Sequence, residues 1–226
     1  LAEIRDIAAL VAIFRPDAKT YVWCGRYYLP ERAIERSPVA QMSVWVKEGH
    51  IIQTDGDQAD FQRIEDDIVA WCDLLNVQEI DFDRALAAQM SQNLKRRFQP
   101  RMGKDAVDRF VVTVPQTVET MNPAMQLLER LTLSGDISHD GNPANNWMFS
   151  NVVVERNHKD EVYPRKAGGK DSPNKIDGPV AGFTAISRAS LAVIGPPRKR
   201  RAPSLWTPGG WKPVLDETPP ASATHV

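Results

Sequence analysis

The sequence predicts an α/β domain, a mixed β-sheet flanked by helices. Three observations carry that prediction. An apolar run and an aromatic, β-branched run near the start are split by a turn, two later strand-like runs alternate with long stretches of helical periodicity, and core-forming composition stops near residue 195. Alternating strands and helices build a sheet with helices on its faces. A chain of 226 residues is long enough to bury a full core in one domain. Hydrophobic residues at 42% and charged residues at 25% are ordinary globular values, so composition alone names no function.

Ile7 to Phe14 is continuously apolar, and Tyr21 to Leu29 is rich in aromatic and β-branched residues; with Pro16-Asp17-Ala18-Lys19 between them they predict a β-hairpin. Pro30 opens a helix to about Lys47, since a proline in the first turn lacks only an N–H that has no helical partner there, and Gly49 ends it. Phe61, Ile64, Ile68, Trp71, Cys72 and Leu75 fall at helical spacing and predict a helix over 59–76. Val77 to Phe82 alternates toward a strand ending at Asp83, and Ala85 to Phe98 follows as a helix. Arg109 to Val114 is a strand, and Met121, Met125, Leu128 and Leu131 mark the apolar face of a helix to about Leu133.

After Asn142-Pro143 a short helical turn carries Trp147 and Met148, Val152 to Val154 is a strand, and 157–164 reads as a turn or loop. A helix dense in Ala, Gly and Ser, Ile176 to Val193, closes the domain and suits tight packing on a sheet. The domain is therefore 1–194. Residues 195–226, with their many prolines and Arg198-Lys199-Arg200-Arg201, cannot build a core and predict a disordered basic tail.

The net charge of -1 hides an uneven layout. Basic residues gather at Lys95-Arg96-Arg97, Arg101 and Lys104, and again at Arg156, Lys159, Arg165, Lys166, Lys170 and Lys175. A local positive face is what a nucleic acid needs, whatever the sum, although solvated surface charge is the commoner reason for such clusters. Cys24 and Cys72 sit in apolar runs and read as small core residues of a reducing compartment. No apolar run reaches the roughly 18 residues that would span a bilayer, and no signal peptide opens the chain, which predicts a cytosolic protein without a membrane partner. The first residue is Leu1 and an apolar stretch begins almost at once, so the chain reads as a fragment.

Three acids fall where a sheet of this kind gathers them: Asp6 at the start of the first strand, Asp83 at the end of a central one, and Asp177 at the mouth of the last helix. Converging carboxylates suit hard cations such as Mg²⁺ or Mn²⁺, which prefer oxygen ligands. Each has a structural alternative: Asp177 as an N-cap before Gly178-Pro179, Asp83 as a cap of the following helix, Asp6 as a solvated strand end. His139 reads equally as a hydrogen-bonded structural residue, and Asn142, Asn146 and Asn151 as turn or cap residues.

The order and spacing of several short motifs go further. They are Asp6-Ile7-Ala8-Ala9-Leu10-Val11, Tyr28-Leu29-Pro30-Glu31, Trp45 with Glu48-Gly49, Thr54-Asp55-Gly56, Phe82-Asp83-Arg84, Val114-Pro115-Gln116, Met121-Asn122-Pro123, His139-Asp140-Gly141-Asn142-Pro143, Trp147, Ser150-Asn151, Lys166 and Lys175-Ile176-Asp177-Gly178. Over most of 1–191 the sequence resembles the C-terminal nuclease domain of tailed-bacteriophage terminase large subunits, which has an RNase H-like fold. The resemblance implies a metal-dependent endonuclease holding two Mg²⁺ or Mn²⁺ ions and cutting concatemeric double-stranded DNA during genome packaging in the host cytoplasm. It casts Asp83 and Asp177 as metal-binding catalytic carboxylates and Asp6 as an auxiliary acid. Lys166, Lys175, Arg101 and Lys104 become DNA contacts, with His139, Asn142 and Asn151 in supporting places. Portal protein and the small terminase subunit are the implied partners, along with an N-terminal ATPase domain of the same polypeptide; no G-x-x-x-x-G-K-[ST] motif occurs here. The family's first catalytic Asp is expected just ahead of Leu1. A non-catalytic DNA-binding or assembly module, a truncated prophage remnant, is the competing reading.

Overall fold

The hairpin forms where the apolar patterning puts it. In the computed structural model, which describes residues 6–83, 87–169, 171–192 and 194, β1 (Ala8–Phe14) pairs antiparallel with β2 (Tyr21–Pro30), from Ala8 opposite Tyr28 to Phe14 opposite Val22. The other edge of β2 takes two short parallel strands. β3 (Ile52–Thr54) lies beside Tyr28 to Pro30, and β6 (Ile137–His139) beside Tyr21 to Trp23. β4 (Ile80–Asp83) and β5 (Val111–Val114) form a parallel pair, and β7 (Val152–Arg156) and β8 (Val162–Lys166) an antiparallel hairpin. The expected mixed sheet with flanking helices is present, divided into these three units.

Several boundaries differ from the sequence reading, each for a local reason. The helix expected over 30–47 is two, α1 (Glu31–Glu35) and α2 (Gln41–Lys47). Pro38 has no amide to donate, and the Ser37 hydroxyl accepts from the Val39 amide at 3.2 Å, so the chain turns between them. α3 (Phe61–Leu74) matches its amphipathic spacing and is capped by Asp60, whose carboxylate accepts from the Arg63 amide. α4 (Ala87–Met102) ends at Gly103, which adopts φ 82°, and α5 (Lys104–Phe110) takes the first part of what read as a strand. The segment expected to be loop over 157–164 instead turns into β8. The Asn157 side chain folds the turn by accepting from the Lys159 and Glu161 amides.

α6 (Val118–Ser134), α7 (Pro143–Ser150) and α8 (Asp177–Ala189) complete the domain. The strand alternation of β2 feeds three apolar clusters at once. Tyr27 and Leu29 pack with Met42, Trp45, Ile51 and Met148. Tyr28 packs with Ile64, Ile80, Leu94 and Val111. Trp23 packs with Met121, Met125, Phe183 and Ile186. Tyr28 also donates its hydroxyl to the buried Asp67 at 2.8 Å, which Arg26 pairs at 2.9 Å, so that this charged group beneath α3 is compensated. The predicted tail, 195–226, lies outside the described residues. No helix among the described residues is long and apolar enough to cross a membrane.

Candidate active site

α8 lies across β1 and also touches β4. Its start is shaped by glycine and proline. Pro179 sits in the first turn, where its missing N–H costs nothing. Gly178 lets the helix close on α7, because a Cβ there would stand 2.6 Å from Asn145 Oδ1 and 2.7 Å from Met148 Cε. Asp177 is therefore the first helical residue, half-buried, and Ile176 rather than Asp177 occupies the cap position. The capping alternative for Asp177 fails on this geometry.

Its charge environment is also unlike that of a capping acid. A capping carboxylate is held low by the amides it accepts from, whereas burial pushes the Asp177 carboxyl up to about 6, with the nearby Asp6 raising it further. Lys175, the Asp177 amide and Lys166 pull the other way, without offsetting the burial. Lys175 extends its ammonium to Asp6 Oδ1, tying the segment before α8 to the segment before β1. Asp6, Asp177, Lys175 and Lys166 thus form one polar cluster at the start of α8. The segment leading into it is anchored: Asn151 Nδ2 donates to the Lys175 carbonyl at 3.1 Å, Lys166 Nζ to the Ser172 carbonyl at 3.0 Å, and Asn174 Nδ2 to the Ala167 carbonyl at 3.0 Å. Asn151 thus holds the backbone of Lys175 ahead of α8.

Asp83 is the last residue of β4. Residues 84–86, where its helix was expected to begin, lie outside the described residues. Side chains alternate along a strand. Ile80 and Phe82 join the core cluster under α3 and α4, while Glu79 meets Arg188 of α8. Glu79, Asp81 and Asp83 therefore share the face turned toward α8, with Asp83 at the end away from Arg188, as Asp177 is at the end of α8 away from it. From Glu79 to Asp83 is about 13 Å of strand, and from Arg188 to Asp177 about 16 Å of helix. Among the described residues, no three His, Cys, Asp or Glu side chains group as the ligands of a metal would.

The other expected site residues are placed as follows. His139 ends β6, is exposed, and accepts from the Gly141 amide at 3.1 Å. Asn142 caps α7: its Oδ1 accepts from the Ala144 amide at 2.9 Å and the Asn145 amide at 3.4 Å, and its Nδ2 donates to the His50 carbonyl. Replacing Asn142 with alanine is expected to cost about 1 kcal/mol of stability, read as a lower urea midpoint, with DNA affinity unchanged; lost affinity at unchanged stability would instead place Asn142 in the site. Arg101 pairs with Asp73 at 2.6 Å, and the neighbouring Lys95 and Arg97 pair with Asp108 and Asp66 at 2.7 Å each. Lys104 opens α5 and is exposed. The cysteines are free and half-buried, their thiols pushed up to about 11 by burial. Lys170 lies outside the described residues.

Residues 1–192 match the family described as the terminase large subunit, endonuclease domain. The chain belongs to that family. It is 30% identical over 186 residues to protein YmfN of Escherichia coli K12, covering 77% of this chain and 38% of that protein. It is 26% identical over 198 residues to the large terminase subunit of Enterobacteria phage HK97, covering 85% of this chain and 37% of that one. The crystal structure of the HK97 large terminase superposes with a TM-score of 0.68 at 24% identity, over 82% of this chain and 37% of that one, which supports the α/β fold. The chain thus spans well under half of the relatives it matches.

The terminase-type domain also holds a group that sequence reading passed over. Arg188 donates Nε and Nη2 to the two oxygens of Glu79 at 2.6 and 2.9 Å. Beside them burial, then Glu79, pushes the Asp81 carboxyl up to about 8. The alternation of Glu79, Asp81 and Asp83 through Ile80 and Phe82 was the available signal.

Proposed function

We propose that this domain is a Mg²⁺- or Mn²⁺-dependent endonuclease that cuts concatemeric double-stranded phage DNA during packaging. Asp177 is the observation that carries the reading: a desolvated carboxyl at a helix start beside a second carboxyl, with lysines at hand. A carboxyl whose charge is opposed by burial and by a neighbouring acid also favours a divalent cation, and an all-oxygen donor set suits Mg²⁺ or Mn²⁺. Asp6, Asp83 and Asp177 would hold the cations, with an upstream acid completing the set. Bound there, two divalent cations supply the charge that activates a water and stabilises the departing 3′ oxygen.

The chain's own residues do the rest. Lys175, now paired with Asp6, and Lys166 face the same cluster, so both can neutralise a phosphate, a contact that gives affinity without sequence choice. The pairs of Arg101, Lys95 and Arg97 are exposed and worth little, so DNA phosphates can displace the partner carboxylates. Portal protein, the small subunit and an ATPase domain are proposed partners in the packaging machine.

The test is cleavage of supercoiled plasmid with Mn²⁺ or Mg²⁺, using the chain extended upstream of Leu1 to include the expected acidic strand, alongside its Asp83→Ala and Asp177→Ala variants. Cutting that needs the metal and falls by orders of magnitude in both variants is the expected result. Cutting indifferent to Asp177 sinks the assignment, and DNA binding without cutting moves the domain to the binding-module reading.

A further inference from the structure

We propose that Glu79 and Arg188 are positioning residues for this site: their two-pronged pair sets how far α8 lies along β4, and so where Asp177 stands relative to Asp83. The proposal rests on the reading of those two acids as partners in one site. Its physical basis is separate.

α8 packs on the core through Phe183 and Ile186, and its glycine stripe lies close against α7 and β2. Gly178 and Gly182, one turn apart, present no side chain to Asn145 and Trp23. The glycine stripe adds no ridges of its own, so directional bonds supplement what Phe183 and Ile186 fix. Two of these tie α8 to β1. Lys175, just ahead of the helix, reaches Asp6 at the start of β1, and Arg15 at the end of β1 donates Nη1 to the Ala189 and Ala192 carbonyls at 2.8 and 2.9 Å. The Ala189 carbonyl ends the helix, where it also accepts from the Ala192 amide at 3.2 Å, and Ala192 lies just beyond it. The tie to β4 is Arg188 with Glu79, where two parallel N–H···O bonds fix orientation as well as distance.

The β4 tie differs from the β1 ties in what it controls. Glu79, just ahead of β4, stands on the same face as Asp83, four residues away, with only rigid strand between them. Arg188 is joined to Asp177 by uninterrupted helix. Each acid is thus held at the end of a stiff element, and the elements are joined at their far ends by the pair. A shift at that joint is passed along helix and strand toward the acids, against the hold of the Lys175 and Asn151 contacts at the start of α8, and a misplacement of about 1 Å in a catalytic set can cost on the order of a hundredfold in rate.

The informative change is Arg188→Lys, which keeps the charge and removes the fork. The double variant Glu79→Gln with Arg188→Gln removes both charges without leaving Glu79 facing Asp81 unpaired. Four quantities are measured on the upstream-extended protein: unfolding temperature, DNA affinity without metal, cutting rate at saturating DNA, and hydrogen exchange of the Val180 and Ala181 amides without metal. The Val180 amide donates to the Ile176 carbonyl at 3.0 Å and so reports the first turn of α8. Both variants are expected to keep DNA affinity and to unfold within a few degrees of the parent. At saturating DNA they should cut on the order of tenfold more slowly, and their first-turn amides should exchange several-fold faster. Parent-like exchange and cutting in both variants overturns the proposal. If the parent itself fails to cut, or cuts without Asp177, the nuclease reading falls; the exchange measurement then decides by itself whether the pair holds the start of α8.

Discussion

Asp177→Asn is expected to make the metal-free protein more stable above pH 6 while abolishing the metal-dependent cutting proposed for it. The Asp177 carboxyl is raised to about 6 in the folded chain from an ordinary value of 3.8, first by burial and then by Asp6. A raised carboxyl prefers its proton in the fold. Its contribution to stability is therefore fully present below about pH 4, and is lost as pH rises through 6 and the folded protein must ionise it. The gap between the folded and unfolded values corresponds to about 3 kcal/mol, an upper value, because the asparagine also gives up the attraction of Lys175 and Lys166. Asparagine carries no charge to expel at any pH. The variant should unfold several degrees above the parent at pH 8 and together with it at pH 4. Cutting by the parent should rise with pH through the same range, since only the ionised carboxyl attracts a cation, and the variant should lose it by orders of magnitude. An Asp177→Asn protein that melts below the parent at pH 8, or that cuts, would refute the assignment. Stability gained where activity is lost is the expected signature of a strained functional carboxylate.

That carboxylate was legible in the sequence because Lys175-Ile176-Asp177-Gly178-Pro179 combines an acid with residues that open a helix. Asp6 was named for the same site, but the sequence did not show the lysine that ties the two segments together. Asp6 lies 171 positions away in the chain, and Lys175 reaches it only because α8 lies over β1. The elements with strong periodicity, the β1–β2 hairpin, α3 and α6, were readable because their apolar spacing is set by the core they face. β8 was not, since Pro164, Arg165 and Lys166 give it no alternation, and its pairing with β7 is imposed by the Asn157 turn. The break between α1 and α2 was signalled by Ser37-Pro38 and masked by the apolar residues on both sides. The His139-Asp140-Gly141-Asn142 motif also turns the chain: Asp140 accepts from the Gly25 and Asn142 amides, and Asn142 caps α7.

Gly182→Ala should destabilise the domain by about 1–2 kcal/mol net, against the usual direction for such a change. In the middle of a helix, alanine is worth up to about 1 kcal/mol over glycine through backbone entropy. Here the added methyl would stand 1.6 Å from Trp23 Cη2 and 2.2 Å from both Cζ2 and Cζ3. Contact between carbons settles near roughly 3.5–4.0 Å, so helix and ring must separate by about 2 Å. Trp23 has nowhere to go: it is 2% exposed, packs on Phe149 at 5.3 Å, and sits on β2 between β1 and β6. α8 must then lift, carrying Asp177 away from Asp6. Overpacking of this kind costs about 1–3 kcal/mol and occasionally more, which outweighs the propensity gain. The unfolding temperature should fall by several degrees and the cutting rate with it. Trp23→Leu alone should also destabilise, by opening a cavity. Combined with Gly182→Ala it should cost less than the sum of the two, because the methyl then fills space the ring has vacated. A Gly182→Ala protein as stable as the parent would mean that α8 does not rest on Trp23, and the tie between the helix and its acids would have to be sought elsewhere.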